Sequence, residues 1–147
     1  MTPEESSASV SDRLAAAWIG AATARYRDVN RAVADGYVPN ETCSALPGVG
    51  GMGYHYVNTT LLDDKVDVAH PEALLYEPGS NGQLNLVAVE YVIPKAAWTS
   101  DKAPTLFGKD FKLNAFDLWA LHVWVWENNP SGLYADWNPR VSCANAS

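Results

Sequence analysis

The stretch LNLVAVEYVIP, Leu84 to Pro94, decides how this chain is read. β-Branched and apolar residues dominate it, no breaker interrupts it, and a proline, which cannot extend a sheet ladder, closes it. It is the strongest strand in the sequence. The segment EPGSNGQ before it, Glu77 to Gln83, carries the Asn-Gly signature of a hairpin turn. The turn implies an antiparallel partner in EALLYE, Glu72 to Glu77. Further upstream GYHYVN, Gly53 to Asn58, alternates as another strand, and downstream FDLWALHVWVWE, Phe116 to Glu127, reads as the last one, because Val123 and Val125 between tryptophans favour β structure.

Ahead of the strands the period changes from 2 to 3.6. Leu14, Trp18, Ala22, Tyr26, Val29 and Val33 step by three or four and predict one helix from Ser11 to Asp35, with Ser11 as N-cap and Gly36 just past the end. The expected fold is α+β: one N-terminal amphipathic helix packed on an antiparallel, barrel-like sheet. Residues 1–10, polar and serine-rich, are expected to be a disordered tail, and residues 11–147 a single domain. The glycines of LPGVGGMG, Leu46 to Gly53, do not form a phosphate loop, since no Lys-Ser/Thr follows and a strand comes next. They permit unusual backbone angles or a close approach of the chain. Residues 95–115 read as a mixed loop.

Composition excludes several functions. The net charge is −7, and only 10 Lys and Arg are scattered over 147 residues, so there is no basic stripe to neutralise phosphates. Nucleic acid and anionic membranes are not expected as partners. No apolar run approaches the roughly 20 residues of a membrane span. Cys43 and Cys143 bracket the β-rich body, too few and too far apart for a zinc-thiolate site. They are expected to form a disulfide, with two free thiols in a cytosolic protein as the alternative. Three N-x-Ser/Thr sequons, at Asn40, Asn58 and Asn145, weigh weakly for secretion. The start MTPEESSASVSD is no signal peptide, so the secreted reading supposes a leader already removed.

Chemistry is sought in the aromatic strands. Period-2 geometry puts Glu90 on the face of Leu86, Ala88 and Val92, with Val87, Val89, Tyr91 and Ile93 opposite. A carboxylate in the middle of a strand with two apolar faces must find a partner or stay protonated. His55 and His122, each also mid-strand, are the candidates. Two histidines and one carboxylate suit Zn or non-haem Fe, so His55, Glu90 and His122 are the expected metal set and the expected catalytic groups. No HExxH or His-x-His spacing supports this, and the plainer reading makes Glu90 and the histidines satisfied structural residues. Tyr54, Tyr56, Tyr76, Tyr91, Trp119, Trp124 and Trp126 are expected to line an aromatic pocket for a small-molecule ligand or substrate, though such a set is more often core or an oligomer contact. His122, Trp124 and Trp126 would share one face. His70, before Pro71 in a loop, is the weakest histidine candidate, and Glu72 and Glu77 are expected in water at strand ends.

Three function classes follow: a metal-binding and catalytic domain, a metal-free binder or acid–base enzyme of lyase, isomerase or cyclase type, and a structural protein forming homo-oligomers. In order along the chain, GMGYHYVN, PEALLYE, LVAVEYVIP, LHVWVW and NPSGLYADWNPRVSC resemble a group of small, mostly hypothetical bacterial and fungal proteins. The resemblance spans residues 20–143 and implies organisation without a reaction. Its pattern often holds a further histidine just before LHVW, where this chain has Leu118 and Trp119. If that histidine is a ligand in the group, this chain lacks it.

Overall fold

In a computed structural model the structure describes residues 3–146, and of residues 3–9 the backbone alone. The expected tail over residues 1–10 thus begins outside the described residues. Helix α1 (Pro3–Thr23) leads through a 3-10 turn (Ala24–Arg27) to a short helix α2 (Val29–Ala34). Eight strands follow: β1 (Val38–Leu46), β2 (Gly50–Val57), β3 (Ala73–Pro78), β4 (Leu84–Pro94), β5 (Thr105–Leu106), β6 (Lys109–Asp110), β7 (Lys112–Leu113) and β8 (Leu118–Val123). Six form one antiparallel sheet in the order β1-β2-β3-β4-β8-β7, curled into a half-barrel against the helix, and β5 and β6 pair separately. The α+β expectation holds. Among the described residues no helix is long and apolar enough to cross a membrane.

The single helix predicted over Ser11–Asp35 begins earlier, at Pro3, so that Ser11 lies inside α1 and is not its N-cap, and it is broken farther on. The carbonyl of Tyr26 accepts a hydrogen bond from the Tyr76 hydroxyl, and Asp28 turns extended to become the N-cap of α2, its side chain accepting from the Asn30 N–H. Both events favour a new helix start over a continued one. The far end is as predicted. Gly36 takes φ +106°, its N–H donates to the Val33 carbonyl and that of Tyr37 to Ala32, the paired bonds of a Schellman cap.

The buried stripe of the helix also differs from the predicted one. Ala15, Ile19, Thr23 and Tyr26 face the sheet, while Leu14, Trp18 and Val33 are exposed. The two stripes are neighbours one residue apart. Small and β-branched side chains sit at the contact and let the backbone approach, and Trp18 instead meets Phe107 edge-on at the flank.

Each face of the sheet has its own core. Toward the helix lie Tyr56, Leu74, Tyr76, Val89, Tyr91, Ile93, Leu121 and Val123, and on the far face Leu75, Ala88 and Trp124 meet Val141 of the C-terminal tail. A bulge between β3 and β4 pairs Leu75 with Ala88 but Tyr76 with Leu86, leaving Val87 as the extra residue. Leu86 therefore turns to the helix side rather than sharing the face of Glu90. The tail crosses the glycine-rich start of β2. Gly51 bridges Asn138, and a Cβ on Gly51 would stand 2.6 Å from the Val141 carbonyl. This is the close approach that the glycine run foreshadowed.

Cys43 on β1 and Cys143 in the tail form the disulfide, with a Cα–Cα distance of 5.9 Å. Asn58 of the second sequon is buried, its amide donating to the Asp35 carbonyl, so the folded chain does not present it. The disulfide closes a loop of about 100 residues, and replacing both cysteines by serine is expected to cost about 2–5 kcal/mol. Urea unfolding of the double variant checks this, and an unchanged midpoint would show the tail held without it.

Candidate metal centre

Strand register brings the three residues together. Glu90 on β4 pairs directly with His122 on β8, so both side chains leave the same face. On the other side Glu90 pairs with Ala73 of β3, and His55 of β2 pairs with Leu75 two residues along. His55 and Glu90 therefore face each other diagonally across β3. The Ala73 methyl leaves that space open.

The distances are short. Glu90 Oε1 lies 3.2 Å from His55 Nε2, and Glu90 Oε2 lies 3.5 Å from His122 Nε2. One nitrogen from each ring and one carboxylate oxygen all fall within 4.8 Å of one another, so this set could hold a metal ion. The carboxylate meets the two imidazoles through different oxygens, each at a separation near the roughly 3.3 Å of two ligand atoms bound tetrahedrally at zinc distances. Glu90 and His122 are buried, while the His55 side chain keeps 18% exposure and is the edge of the site that meets solvent. Neither ring nitrogen of the buried His122 makes a hydrogen bond.

The electrostatics are those of a compensated buried charge. Burial alone would push the Glu90 carboxyl up, but the His122 and His55 imidazoles outweigh it and hold it below the ordinary range. For His122 burial works downward, and Glu90 with Asp136 outweighs it, so its pKa is raised. Asp136, in the tail, puts Oδ1 3.4 Å from His122 Nδ1, and its other oxygen lies 3.4 Å from Lys112 Nζ. The adjacent His122 ring holds the Asp136 carboxyl down, against its partial burial. Sequence reading passed over Asp136 because it sits in an irregular tail with no period to place it.

Of the predicted aromatic lining, only Trp124 is at the site, its ring stacked on His122 with centroids 6.5 Å apart and planes at 14°. Tyr54, Tyr56, Tyr76, Tyr91 and Trp119 belong to the helix-side core, the opposite face of the sheet. Alternation itself puts Tyr54 and Tyr56 opposite His55, Tyr91 opposite Glu90 and Trp119 opposite His122, so these rings cannot share the triad's face. The Tyr76 and Tyr91 hydroxyls donate to the carbonyls of Tyr26 and Val68, and burial raises both pKa values, so they remain donors. Trp126 is also on the helix side. β8 ends at Val123, and past it the chain turns so that Trp126 Nε1 donates to Thr23 Oγ1. His70 pairs with Asp67 in an exposed loop, away from the triad.

Glu72 is not in water as expected. The side chain is buried, and Oε1 accepts the Val92 N–H at 2.8 Å. β3 begins only at Ala73, after Pro71, so the carboxylate supplies the ladder acceptor that β4 would otherwise lack there. Glu77 instead takes the Ser142 N–H of the tail. A cavity of about 390 Å³ lined by Asp63, Asp67, His70 and Glu72 lies apart from the triad.

Compared with family models, curated proteins and solved structures, the chain matches none.

Burial pushes the Glu72 carboxyl up from 4.5 to about 7. The fold thus favours the protonated acid, and this contribution is full below pH 4.5 and lost as pH rises through 7. Glu72→Gln keeps the acceptor for Val92 and cannot ionise. Relative to the unchanged protein it is expected to gain stability on the order of 3 kcal/mol above pH 7 and none below pH 4.5. Denaturant unfolding of both at several pH values checks the difference, and parallel curves would reject it.

Proposed function

We propose that the protein is a metal-binding domain in which His55, Glu90 and His122 hold one divalent ion, zinc or non-haem iron. The carrying observation is His122 Nε2, buried, without a hydrogen bond, and turned to the Glu90 carboxylate. A buried imidazole nitrogen that meets a carboxylate without a hydrogen bond is costly unless a shared cation completes the contact. Two imidazoles and a carboxylate are a donor set for Zn or Fe, and three protein ligands leave a position for water or a small-molecule ligand. The half-open side at His55 is where such a ligand would enter. If the site is catalytic, these three residues orient the ion and the ligand. The disulfide supports an oxidising, extracytoplasmic compartment.

A metal-free acid–base function has one observation in its favour, the pairing of Glu90 with two imidazoles. Elemental analysis of the purified protein separates the two readings. The metal reading expects about one Zn or Fe per chain, removable by chelator, and loss of binding in Glu90→Gln and His122→Ala. Added metal at 100 times its Kd should stabilise the unchanged protein by about 2.7 kcal/mol and leave Glu90→Gln where it was. Stoichiometry near zero after metal reconstitution, or equal stabilisation of the variant, would reject the metal centre.

A further inference from the structure

We propose that Asp136 is the positioning residue of this centre: its carboxylate takes the Nδ1 hydrogen of His122, which presents the Nε2 lone pair to Glu90 and His55. The inference rests on the metal reading above. A neutral imidazole carries one ring hydrogen, and the nitrogen opposite that hydrogen is the one free to bind a metal. The geometry around His122 assigns the two nitrogens to different neighbours. Nε2 is 3.5 Å from Glu90, and Nδ1 is 3.4 Å from Asp136 Oδ1. An anion that can only accept thus faces Nδ1. Oδ1 is within reach of Nδ1 but off its N–H direction, so a small turn of ring or carboxylate completes the hydrogen bond, and donation of the Nε2 lone pair to a cation makes the Nδ1 hydrogen a better donor. Lys112 occupies the other Asp136 oxygen, leaving Oδ1 for the imidazole.

Asp136 is held from both sides although it belongs to no strand or helix. Before it, the Ala135 carbonyl accepts from Trp124 Nε1, and Trp124 is the ring stacked on His122. After it, the backbone of Asn138 exchanges two hydrogen bonds with Gly51, and the Trp137 carbonyl accepts from Asn129. One tryptophan therefore sets the plane of the imidazole and anchors the segment that carries its acceptor. That coupling is what an outer carboxylate needs in order to orient a ligand.

The test uses zinc and the full chain. Asp136→Ala removes the acceptor, and Asp136→Asn keeps the shape while removing the charge, so one variant remains informative if the other folds poorly. Asp67→Asn, away from the triad, controls for net charge. Zinc affinity by chelator competition is expected to fall 10–100-fold in Asp136→Ala, less in Asp136→Asn, and to stay level in Asp67→Asn. Nitrogen-15 shifts of the histidine rings in the zinc-loaded unchanged protein are expected to put the metal on Nε2 and the hydrogen on Nδ1 of His122. A merely structural Asp136 would not determine which nitrogen binds. Equal affinity in both Asp136 variants, or zinc on Nδ1, overturns the inference while leaving the metal centre in place. Failure of the unchanged protein to bind zinc or iron removes the metal centre itself, and this inference with it.

Discussion

The structure is organised around one buried negative charge. β4 is covered on both faces, and Glu90 stands in its middle, so water cannot solvate the carboxylate and the protein must. His122 answers it from the directly paired position on β8, and His55 from across β3. The second contact constrains the strand between them: only a short side chain at residue 73 leaves the path open. With Ala73, Ala88 and Ala120 all buried, this region of the sheet offers little bulk of its own. The tail fills the space above it.

The other face solves a different problem. Its tyrosines are large and end in hydroxyls that need acceptors inside a core. Three send the hydroxyl to a backbone carbonyl, Tyr76 to Tyr26, Tyr91 to Val68 and Tyr37 to Pro71, and Tyr26 donates to the Asp35 carboxylate. These bonds tie the helix break and the β2–β3 connection to the sheet. The aromatic residues that look most like a binding pocket in the sequence are the scaffold that fixes the strands. The polar site lies behind them, on the face where small residues leave room.

Some of this was legible in the residues and some was not, for physical reasons. β4, its turn and β3 stand out because β-branched runs and an Asn-Gly turn act locally. The triad was legible because a carboxylate with apolar neighbours on both sides is an anomaly, and anomalies demand partners. Alternation within a strand already sets Tyr56 opposite His55 and Tyr91 opposite Glu90, so an aromatic lining on the triad's own face conflicts with it, and what alternation leaves open is which face the helix covers. Nor could it foresee the bulge at Val87, which shifts Leu86 to the other side. The helix phase was missed because Leu14 and Trp18 form an apolar stripe next to the one that packs. β1 is an exposed edge strand holding Pro39, Asn40, Glu41 and Thr42, with no apolar period to announce it. Glu72 looked like a strand-end charge because the shortness of β3 beside β4 is a tertiary fact.

The disulfide belongs to the same argument as the site. An irregular segment is ordinarily the mobile part of a fold, with few apolar contacts and no ladder of its own. This tail is fastened at Leu133 and Ala135 by Trp124, at Asn138 by Gly51, at Ser142 by Glu77, and at Cys143 by Cys43 on the edge strand. The ties span the sheet from β1 to the end of β8, and Asp136 lies between them. A carboxylate can orient an imidazole only if its own position is settled to a fraction of an ångström. Here that position depends on the missing side chain of Gly51, on a tryptophan shared with the histidine, and on a covalent anchor at the far edge of the sheet. The segment with the least regular sequence is thus among the most constrained, and its constraint converges on the buried imidazole of His122.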